Sequence, residues 1–597
     1  MTVHPAAGSA PAAPPARREP DRGLRIVSRR RSVGTPSLLA RGEPMLWLTG
    51  GGLAVCMTMI VGLLLLVFYQ GVVTFWPVPV VQIETATGRT LVGEVTRHDA
   101  YRPADAVLAA LPGDLATGAR AAVAAADGWA HRRLVRTGNF ELTGDHFNWV
   151  SDFEIPADGE IRPPWAVLFE RLAWGRFYGF PAAFVLDGAE VAVGPEEAWR
   201  LFERHHGAVR ARWERRRTLE SHDLGAVNHR LESARLSLRL VGLEHGTDAP
   251  AYEAERRRVE AIEAEGHREF ARIRAAIDTL DAENARYQLR VGTAGGEDKL
   301  LALADVVRAY PANRVDVLDK LGIYLSRWWE FVSDDPREAN SEGGVFPAIF
   351  GTVVMTLLMS LAVVPFGVFA ALYLREYAKE GAIVSAIRIA VNNLAGVPSI
   401  VFGVFGLGFF CYIIGATVDE LLFSAKLPSP TYGTGGILWA SLTLALLTLP
   451  VVIVATEEAL AAVPRSMREG SFACGASKFQ TIRRIVLPRA MPGIMTGMIL
   501  AMARGAGEVA PLMLVGAVKL APELPIDGYA PYVHLERSFM HLGFHVYDLG
   551  FQSQNSEAAK PMVFTTTLLL ITIIALLNLA AIALRTRLRR RFLASQF

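Results

Sequence analysis

The stretch REGSFACGASKFQTIRRIVLP, residues 468–488, is polar, basic and regularly patterned, yet it lies between two strongly apolar stretches. Its pattern predicts a short helix, a turn that Gly475 permits, and a second short basic helix that stops where Pro488 returns the chain to the apolar region. A surface element of this shape could insert into a groove of a soluble partner. On residue types alone, a positively charged loop that only sets membrane topology is an equally good interpretation.

The apolar residues around this loop are concentrated in long runs. Of the 597 residues, 51% are apolar and 20% are charged. A helix that crosses the hydrocarbon core needs about 20 largely uncharged residues, and six stretches meet or approach that length. They are residues 44–77, 346–374, 389–417, 437–456, 490–518 and 561–584. The first is too long for a signal peptide and should stay attached. The sequence therefore predicts an all-α polytopic membrane protein with six transmembrane helices.

Three segments outside these stretches are rich in lysine and arginine: the tail 1–43, the loop 457–489 and the tail 585–597. With six spans these three segments lie on one side, and cytoplasmic loops carry an excess of basic residues. We therefore expect both termini and the loop to be cytoplasmic, with the tail 1–43 disordered because it contains too few apolar residues to fold. The segments expected outside are residues 78–345, 418–436 and 519–560.

The large external region divides into three parts that differ in amino-acid pattern. Residues 78–194 contain short alternating runs broken by Gly and Pro, which predict strands of a small mixed α/β region. Residues 195–290 have the pattern of long charged helices and predict a periplasmic helical hairpin. Its second helix is predicted to have Asp248 as its N-cap and Pro250 in its first turn. Residues 291–345 read as an amphipathic connector. The predicted fold is thus a helical membrane bundle with an α+β insertion.

A charged pair lies within the fifth predicted span, in ARGAGEVAPLML, residues 503–514. Arg504 and Glu508 are four residues apart, which places them on one face of a helix. Charges near the centre of a bilayer are costly and rarely face lipid. One interpretation is an intrahelical salt bridge that makes the helix insertable. The other is an anion pathway, in which Arg504 offers a fork of donors to an oxyanion and Glu508 accepts from its protonated form.

The third predicted span contains NNLAGVPSIVFGVFGLGFF, residues 392–410, in which small residues and one proline recur. Gly396, Gly403, Gly406, Gly408 and Pro398 would allow close helix approach and a local break. A broken helix in a transporter exposes backbone groups near a substrate. Helix packing alone is the other interpretation.

Other chemistries find little support. Cys56 and Cys411 lie in predicted spans and Cys474 lies in the loop, so no disulfide is predicted. His541 and His545 have a spacing that suits a metal on a helix, but two histidines without further ligands are a weak signal. The sequence has no GxxxxGK[ST] phosphate loop, so we do not expect the chain to hydrolyse ATP itself.

The loop resembles the EAA loop of ABC importer permeases, whose pattern is Glu-Ala-Ala, three residues, Gly, nine residues, Ile, one residue and Leu-Pro. The residues in register are Glu469, Gly475, Ile485, Leu487 and Pro488. Gly470 and Ser471 depart from the usual alanines, although both are small. The resemblance implies that these residues dock on a separate ATPase subunit and transmit its closure.

Together with residues 346–378, 393–403 and 503–513, the loop makes residues 346–584 similar to phosphate importer permeases of the PstA type, with the type I ABC importer permease fold. The resemblance implies a bacterial inner-membrane transporter subunit, not an enzyme, with Arg504 and Glu508 in the substrate pathway. It implies a paired permease (PstC type), an ATPase dimer (PstB type) that binds ATP-Mg, and a periplasmic phosphate-binding protein (PstS type). This chain itself would contact membrane lipid and bind no cofactor, metal or nucleic acid.

Three alternatives remain open on the sequence. One is a permease for another oxyanion, such as sulfate or molybdate. Another is a membrane-anchored periplasmic sensor, in which the hairpin 195–290 recognises an external ligand and the cytoplasmic loop contacts a signalling protein. The third is a structural scaffold at the envelope. The role of the region 78–345 is not indicated by any residue pattern.

Overall fold

A computed structural model describes residues 43–594 apart from residues 110, 157 and 554, so the predicted tail 1–43 lies almost entirely outside the described residues. The chain divides into two units, residues 1–65 and 66–597. In the first unit the described residues form the beginning of the helix Glu43–Val73. All other elements belong to the second unit.

Six helices among the described residues are long and apolar enough to cross a membrane. They are Trp47–Val73, Phe346–Tyr377, Ser399–Leu422, Ile437–Ala461, Lys478–Gly507 and Ser556–Arg587, here called spans one to six. Their number and order agree with the six predicted spans. Residues 585–594 of the predicted basic tail continue the last helix, which runs over Ser556–Ala594. The fold is therefore a helical membrane bundle with an additional β-rich region between the first two spans.

The third span begins later than predicted, because the predicted helix 389–417 is interrupted. One helix covers Ala382–Leu394, and the next begins at Ser399 after the turn 395–398. Pro398 has no N–H and disfavours helical geometry in the preceding residue. The break predicted from the glycines and the proline is thus present, and it separates the third span from an amphipathic helix before it.

The fifth span differs from the prediction at both ends. The second loop helix begins at Lys478–Thr481 and does not stop at Pro488. It continues through a wide turn of π-helical geometry, Ile482–Val486, into the helix Leu487–Gly507. Proline is tolerated here because it lies in the first turn after the wide turn, where its missing N–H costs little. At the other end the helix stops at Gly507, and the apolar residues up to 518 do not continue it.

The β-rich region contains two main antiparallel sheets. The strands of the first are β1 Val80–Glu84, β2 Thr90–Tyr101, β3 Ala130–Arg136, β4 Phe147–Ser151 and β5 Glu160–Ile161, in the order β4-β3-β2-β1-β5. Those of the second are β6 Val167–Arg171, β7 Arg176–Leu186, β8 Ala189–Val193, β9 Tyr287–Gly292, β10 Asp298–Ala302 and β11 Val306–Pro311. Its order is β10-β9-β7-β6-β11, with β8 also paired to β7. Phe169 lies opposite Phe177 in this sheet, and both are fully buried.

Three short helices accompany the first sheet, and a further short pair of strands follows the second. The helices are Asp105–Ala109, Gly113–Ala125 and Phe140–Thr143. The pair consists of β12 Pro336–Arg337 and β13 Glu342–Gly343. The helix Val317–Ser333 lies between β11 and this pair, and it begins with a capping box formed by Asp316 and Asp319. The predicted connector 291–345 is therefore helical only in its second half, because its first half supplies strands of the second sheet.

The hairpin is inserted between β8 and β9 of one sheet. Its first arm runs over Pro195–Thr218, a wide turn Leu219–Asp223, and Leu224–His245. Its second arm is Pro250–Ala285. The predicted N-cap Asp248 is wrong: Ala249 occupies that position, and Pro250 begins the helix. Proline at the first helical position has a suitable φ and no N–H to satisfy, so the helix starts without a side-chain cap.

Candidate functional site

The loop between the fourth and fifth spans begins with the helix Arg465–Ala473 and ends it in a glycine turn. The Gly475 N–H donates to the Phe472 carbonyl at 2.9 Å, and the Ala476 N–H donates to the Ser471 carbonyl at 3.1 Å. Gly475 has a φ of +80°. This pair of bonds is the usual way in which a left-handed glycine closes a helix. The predicted glycine turn is therefore present, and the backbone conformation requires it.

Two contacts anchor the loop to the membrane helices. Arg468 donates to the carbonyls of Val463 and Leu460 at 2.7 and 2.8 Å, near the end of the fourth span. Its guanidinium also lies 2.9 Å from a carboxylate oxygen of Glu376, in the second span. An arginine in this position satisfies carbonyls that a helix end leaves without donors. The loop is consequently fixed to two spans.

A third contact joins the two halves of the loop. The hydroxyl groups of Ser471 and Thr481 lie 2.8 Å apart, and both side chains are buried. Val486, fully buried, packs in one apolar cluster with Val463 and Leu460. The loop is thus a packed element that connects directly to the fifth span.

The other face of the loop is exposed. Glu469 and Gly475 are exposed, whereas Ile485, Leu487 and Pro488 are half-buried at the junction with the fifth span. Two aromatic side chains flank the glycine turn: Phe472 is 47% exposed and Phe479 is 61% exposed. Sequence analysis did not single out these phenylalanines. The sequence feature that could have indicated them is an aromatic residue on each side of Gly475 in an otherwise polar loop.

The second predicted pair lies at the far end of the fifth span. Arg504 is in the last turn of Leu487–Gly507, and Glu508 follows the helix with extended backbone. Their closest atoms, Arg504 Nε and Glu508 Oε1, are 3.7 Å apart, and the side chains are 38% and 22% exposed. The expectation of one helical face in the middle of a span is therefore wrong. The pair marks the point where the helix ends and the chain turns.

This turn packs against the broken third span. A Cβ atom on Gly403 would lie 2.7 Å from the Cα of Pro511, so the two backbones touch. Phe402 and Leu512 share one buried apolar cluster, to which Leu394 and Val397 also contribute. The helix break 395–398 and the end of the fifth span are consequently parts of one region. Gly408 has nothing within 4 Å of its Cβ position, so it has no such role.

The loop and the charged pair lie at opposite ends of one helix. The fifth span is continuous over Lys478–Gly507, and the 16 residues from Pro488 to Arg504 correspond to about 24 Å along an α-helix. The structure therefore does not bring the two predicted groups together. It connects them by a single helical element.

The two histidines set aside on sequence grounds lie between the fifth and sixth spans. His541 accepts a hydrogen bond from the Gly543 N–H and caps the helix Leu542–Tyr547 instead of lying within it. Burial lowers the pKa of His541 to about 3 and that of His545 to about 4, so both rings are neutral at pH 7. Within the described part of the chain, no group of three or more His, Cys, Asp or Glu residues could hold a metal ion.

Comparisons with known proteins match the same part of the chain. Residues 363–593 match the family described as "binding-protein-dependent transport system inner membrane component". A probable ABC transporter permease protein of Bacillus subtilis, YqgH, is 35% identical over 195 residues, which cover 32% of this chain and 59% of that protein. The phosphate transport system permease protein PstA 1 of Mycobacterium tuberculosis is 34% identical over 269 residues, which cover 44% of this chain and 78% of that protein.

Among solved structures, a chain of the MetNI methionine ABC transporter is similar, with 21% identity and a TM-score of 0.30. The alignment covers 40% of this chain and 94% of that chain. The family match and the relatives show a membrane transport permease subunit and not an enzyme. The chain belongs to the binding-protein-dependent transport system inner membrane component family, among the permeases of the PstA type.

Proposed function

We propose that this chain is a permease subunit of an ATP-driven phosphate importer. In this proposal it forms the translocation pathway with a paired permease of the PstC type. A separate ATPase dimer of the PstB type binds ATP-Mg and docks on the loop, and a PstS-type periplasmic protein delivers phosphate to the other side. Both termini and the loop are cytoplasmic, and residues 78–345 are periplasmic.

The observation that carries the proposal is the continuity of the fifth span, Lys478–Gly507. Its first residues belong to the loop, and its last turn holds Arg504. A partner that displaced the loop would therefore move the guanidinium at the other end. Such a partner shifts the balance of two states only if it binds the loop differently in each.

The loop face has the chemistry of a protein contact. Phe472 and Phe479 are exposed on either side of Gly475, and Arg483 and Arg484 are exposed beside them. Aromatic and arginine side chains dominate the binding energy of many interfaces. Because the buried face is held by Arg468, docking would not have to order the loop first.

The end of the fifth span has the chemistry of an oxyanion contact. The separation of 3.7 Å between Arg504 and Glu508 is longer than a hydrogen bond, so Glu508 does not saturate the guanidinium donors. A guanidinium binds tetrahedral oxyanions through paired N–H groups. The adjacent carboxylate would favour a protonated phosphate over sulfate, since only the protonated species can donate to it. The exposure of Arg504 in the single chain also supports a second permease subunit that encloses the pathway.

Uptake by the reconstituted complex tests the pathway. Liposomes that contain all four kinds of subunit and enclosed ATP-Mg should accumulate [32P]phosphate, and Arg504→Gln should abolish accumulation while the complex still assembles. Arg272→Gln, which removes a charge from the exposed hairpin, should transport normally. Unimpaired uptake by Arg504→Gln would remove that residue from the pathway, and stronger competition by sulfate or molybdate than by unlabelled phosphate would indicate another oxyanion.

Co-purification tests the docking surface separately. Phe479→Ala should reduce the amount of ATPase that co-purifies with the chain, without changing its thermal stability, because the ring is exposed. Phe551→Ala is a matched control, since Phe551 is 82% exposed and lies outside the loop. Equal recovery of the ATPase with both variants would contradict docking at this face.

A further inference from the structure

A cavity of about 350 Å³ lies where the β-rich region meets the membrane helices. Its lining includes the end of the first span and the segment that follows it, and the beginning of the sixth span. This side contributes apolar side chains, among them Phe75, Trp76, Met562 and Phe564. A second, charged side is formed by residues of the sheets, of the helix Val317–Ser333, of the β12–β13 pair and of the first turn of the sixth span. The cavity is therefore amphipathic and lies at one end of the membrane bundle.

The charged side carries more cations than anions. Its basic residues are Arg97, Arg136, Arg176, Arg308, Arg327, Arg337 and Lys560. Its acidic residues are Glu94, Glu170, Glu330, Glu342 and Glu557. Seven cations therefore face five carboxylates, although Arg97 and Lys560 are partly in solvent. Charges removed from water need a partner of opposite sign. Each of these cations lies within 4 Å of one of the carboxylates, but seven cations share five carboxylates, so the lining carries two more positive than negative charges.

The carboxylates are already shared among several donors. Glu170 accepts from Arg327 at 2.9 Å and from Arg308 at 2.5 Å, and it lies 3.8 Å from Arg176. Glu94 accepts from Arg176 at 2.6 Å and from the Tyr178 hydroxyl at 2.8 Å. Burial acts to raise the pKa of Glu170, but the three guanidiniums outweigh it and hold that pKa well below its usual range.

Donors remain unsatisfied in the same network. The buried Nε atoms of Arg176 and Arg337 have no hydrogen-bond partner. Buried polar groups in folded proteins nearly always have one. The excess positive charge and the missing acceptors both indicate that a negatively charged acceptor is absent from the single chain.

We propose that this cavity binds a phosphate group as a site separate from the Arg504 pathway. Arg97 and Lys560 already donate to Glu557, and Arg136 donates to Glu342. Their remaining N–H groups would donate to the phosphate oxygen atoms. Guanidinium forks match the geometry of phosphate oxygens. The group belongs either to the headgroup of an anionic phospholipid, whose chains would lie along the apolar side at the first and sixth spans, or to inorganic phosphate. Basic pockets between membrane helices bind anionic headgroups in this way.

Lipid retention tests the first source. The full-length chain is incorporated in nanodiscs with equal amounts of phosphatidylglycerol and phosphatidylcholine, and native mass spectrometry counts the lipids that stay bound. We expect one phosphatidylglycerol per chain, retained about tenfold less by Arg97→Gln/Lys560→Gln because two charged donors are lost. Arg97 and Lys560 are 42% and 53% exposed, so the double variant should remain folded. Arg272→Gln removes a charge elsewhere and should retain the lipid.

Equilibrium dialysis against [32P]phosphate in a neutral detergent tests the second source. The measurement uses the Arg504→Gln variant, so that binding in the proposed transport pathway does not contribute. One bound phosphate that the added Arg97→Gln/Lys560→Gln changes remove, in a chain with an unchanged melting temperature, supports inorganic phosphate. Competition between phosphate and phosphatidylglycerol would show one shared site. Absence of both ligands, or equal binding by the wild type and the cavity variants, would overturn the proposal. Neither result depends on whether the complex transports phosphate.

Discussion

Replacement by alanine should change the stability of the loop in opposite directions at two of its glycines. Gly470 lies within the helix Arg465–Ala473, and Gly475 follows it with a φ of +80°. Neither has an atom within 4 Å of the position that a Cβ would occupy. Replacement of either by alanine therefore meets no steric obstacle, and the backbone conformation alone decides the result.

The magnitudes follow from that conformation. Alanine in the left-handed region costs about 1–2 kcal/mol, whereas alanine in place of a helical glycine contributes about 0.5–1 kcal/mol of stability. We therefore expect Gly475→Ala and Gly470→Ala to differ by about 1.5–3 kcal/mol in the free energy that opens the loop. At 1.4 kcal/mol for each factor of ten, that difference corresponds to a ratio of at least tenfold in the population of the open loop.

Hydrogen exchange measures this free energy directly, because amides in a segment exchange when it opens. In nanodiscs, exchange within residues 465–486 should be faster than wild type in Gly475→Ala and slower in Gly470→Ala. Exchange in the hairpin arm Pro250–Ala285 serves as an internal reference. Equal protection of the loop in the two variants would refute the assignment of a left-handed glycine turn.

Three further perturbations probe other contacts. Glu170→Gln should destabilise the β-rich region by about 3–5 kcal/mol, because buried guanidiniums lose their anion. The pKa of Glu170 is lower in the folded than in the unfolded state, so its contribution to wild-type stability is lost as the pH falls below about 4.3. The melting temperature of Glu170→Gln should therefore depend less on pH in this acidic range than that of the wild type. Gly403→Val should lower the melting temperature through overpacking of about 1–3 kcal/mol, and Gly408→Val, which meets open space, should not. Arg468→Met should destabilise the chain in detergent melts by leaving the Glu376 carboxylate without its cation. Adding Glu376→Gln should recover part of that loss, and simple additivity would contradict the pairing.

Local sequence signals were sufficient for several features of the candidate site. A glycine after a short polar helix predicts a left-handed turn, and Gly475 adopts one. Pro398 beside Gly396 predicts a broken helix, and the turn 395–398 separates two helices. Long apolar runs predict membrane helices whatever their neighbours are, so the six spans could be counted from the sequence.

Features that depend on distant parts of the chain could not be predicted. Arg468 gains its role from Glu376, which lies 92 residues earlier. The end of the fifth span at Gly507 was missed because residues 509–518 are apolar, and hydropathy does not distinguish a helix from a buried turn. Strands β9 to β11 were missed because short apolar runs suit a strand and a helix equally. Their pairing with β6 and β7 joins residues on both sides of the hairpin.

The insertion of the hairpin into one sheet makes it suitable as a rigid handle. Both of its ends are fixed to neighbouring strands, where the Asp187 N–H donates to the Arg286 carbonyl at 3.0 Å. Its arms continue without a break in helical geometry to an exposed turn at Gly246. A small folded domain grafted into that turn would inherit the orientation of both arms. It would give electron microscopy images of this membrane protein a feature by which particles can be aligned.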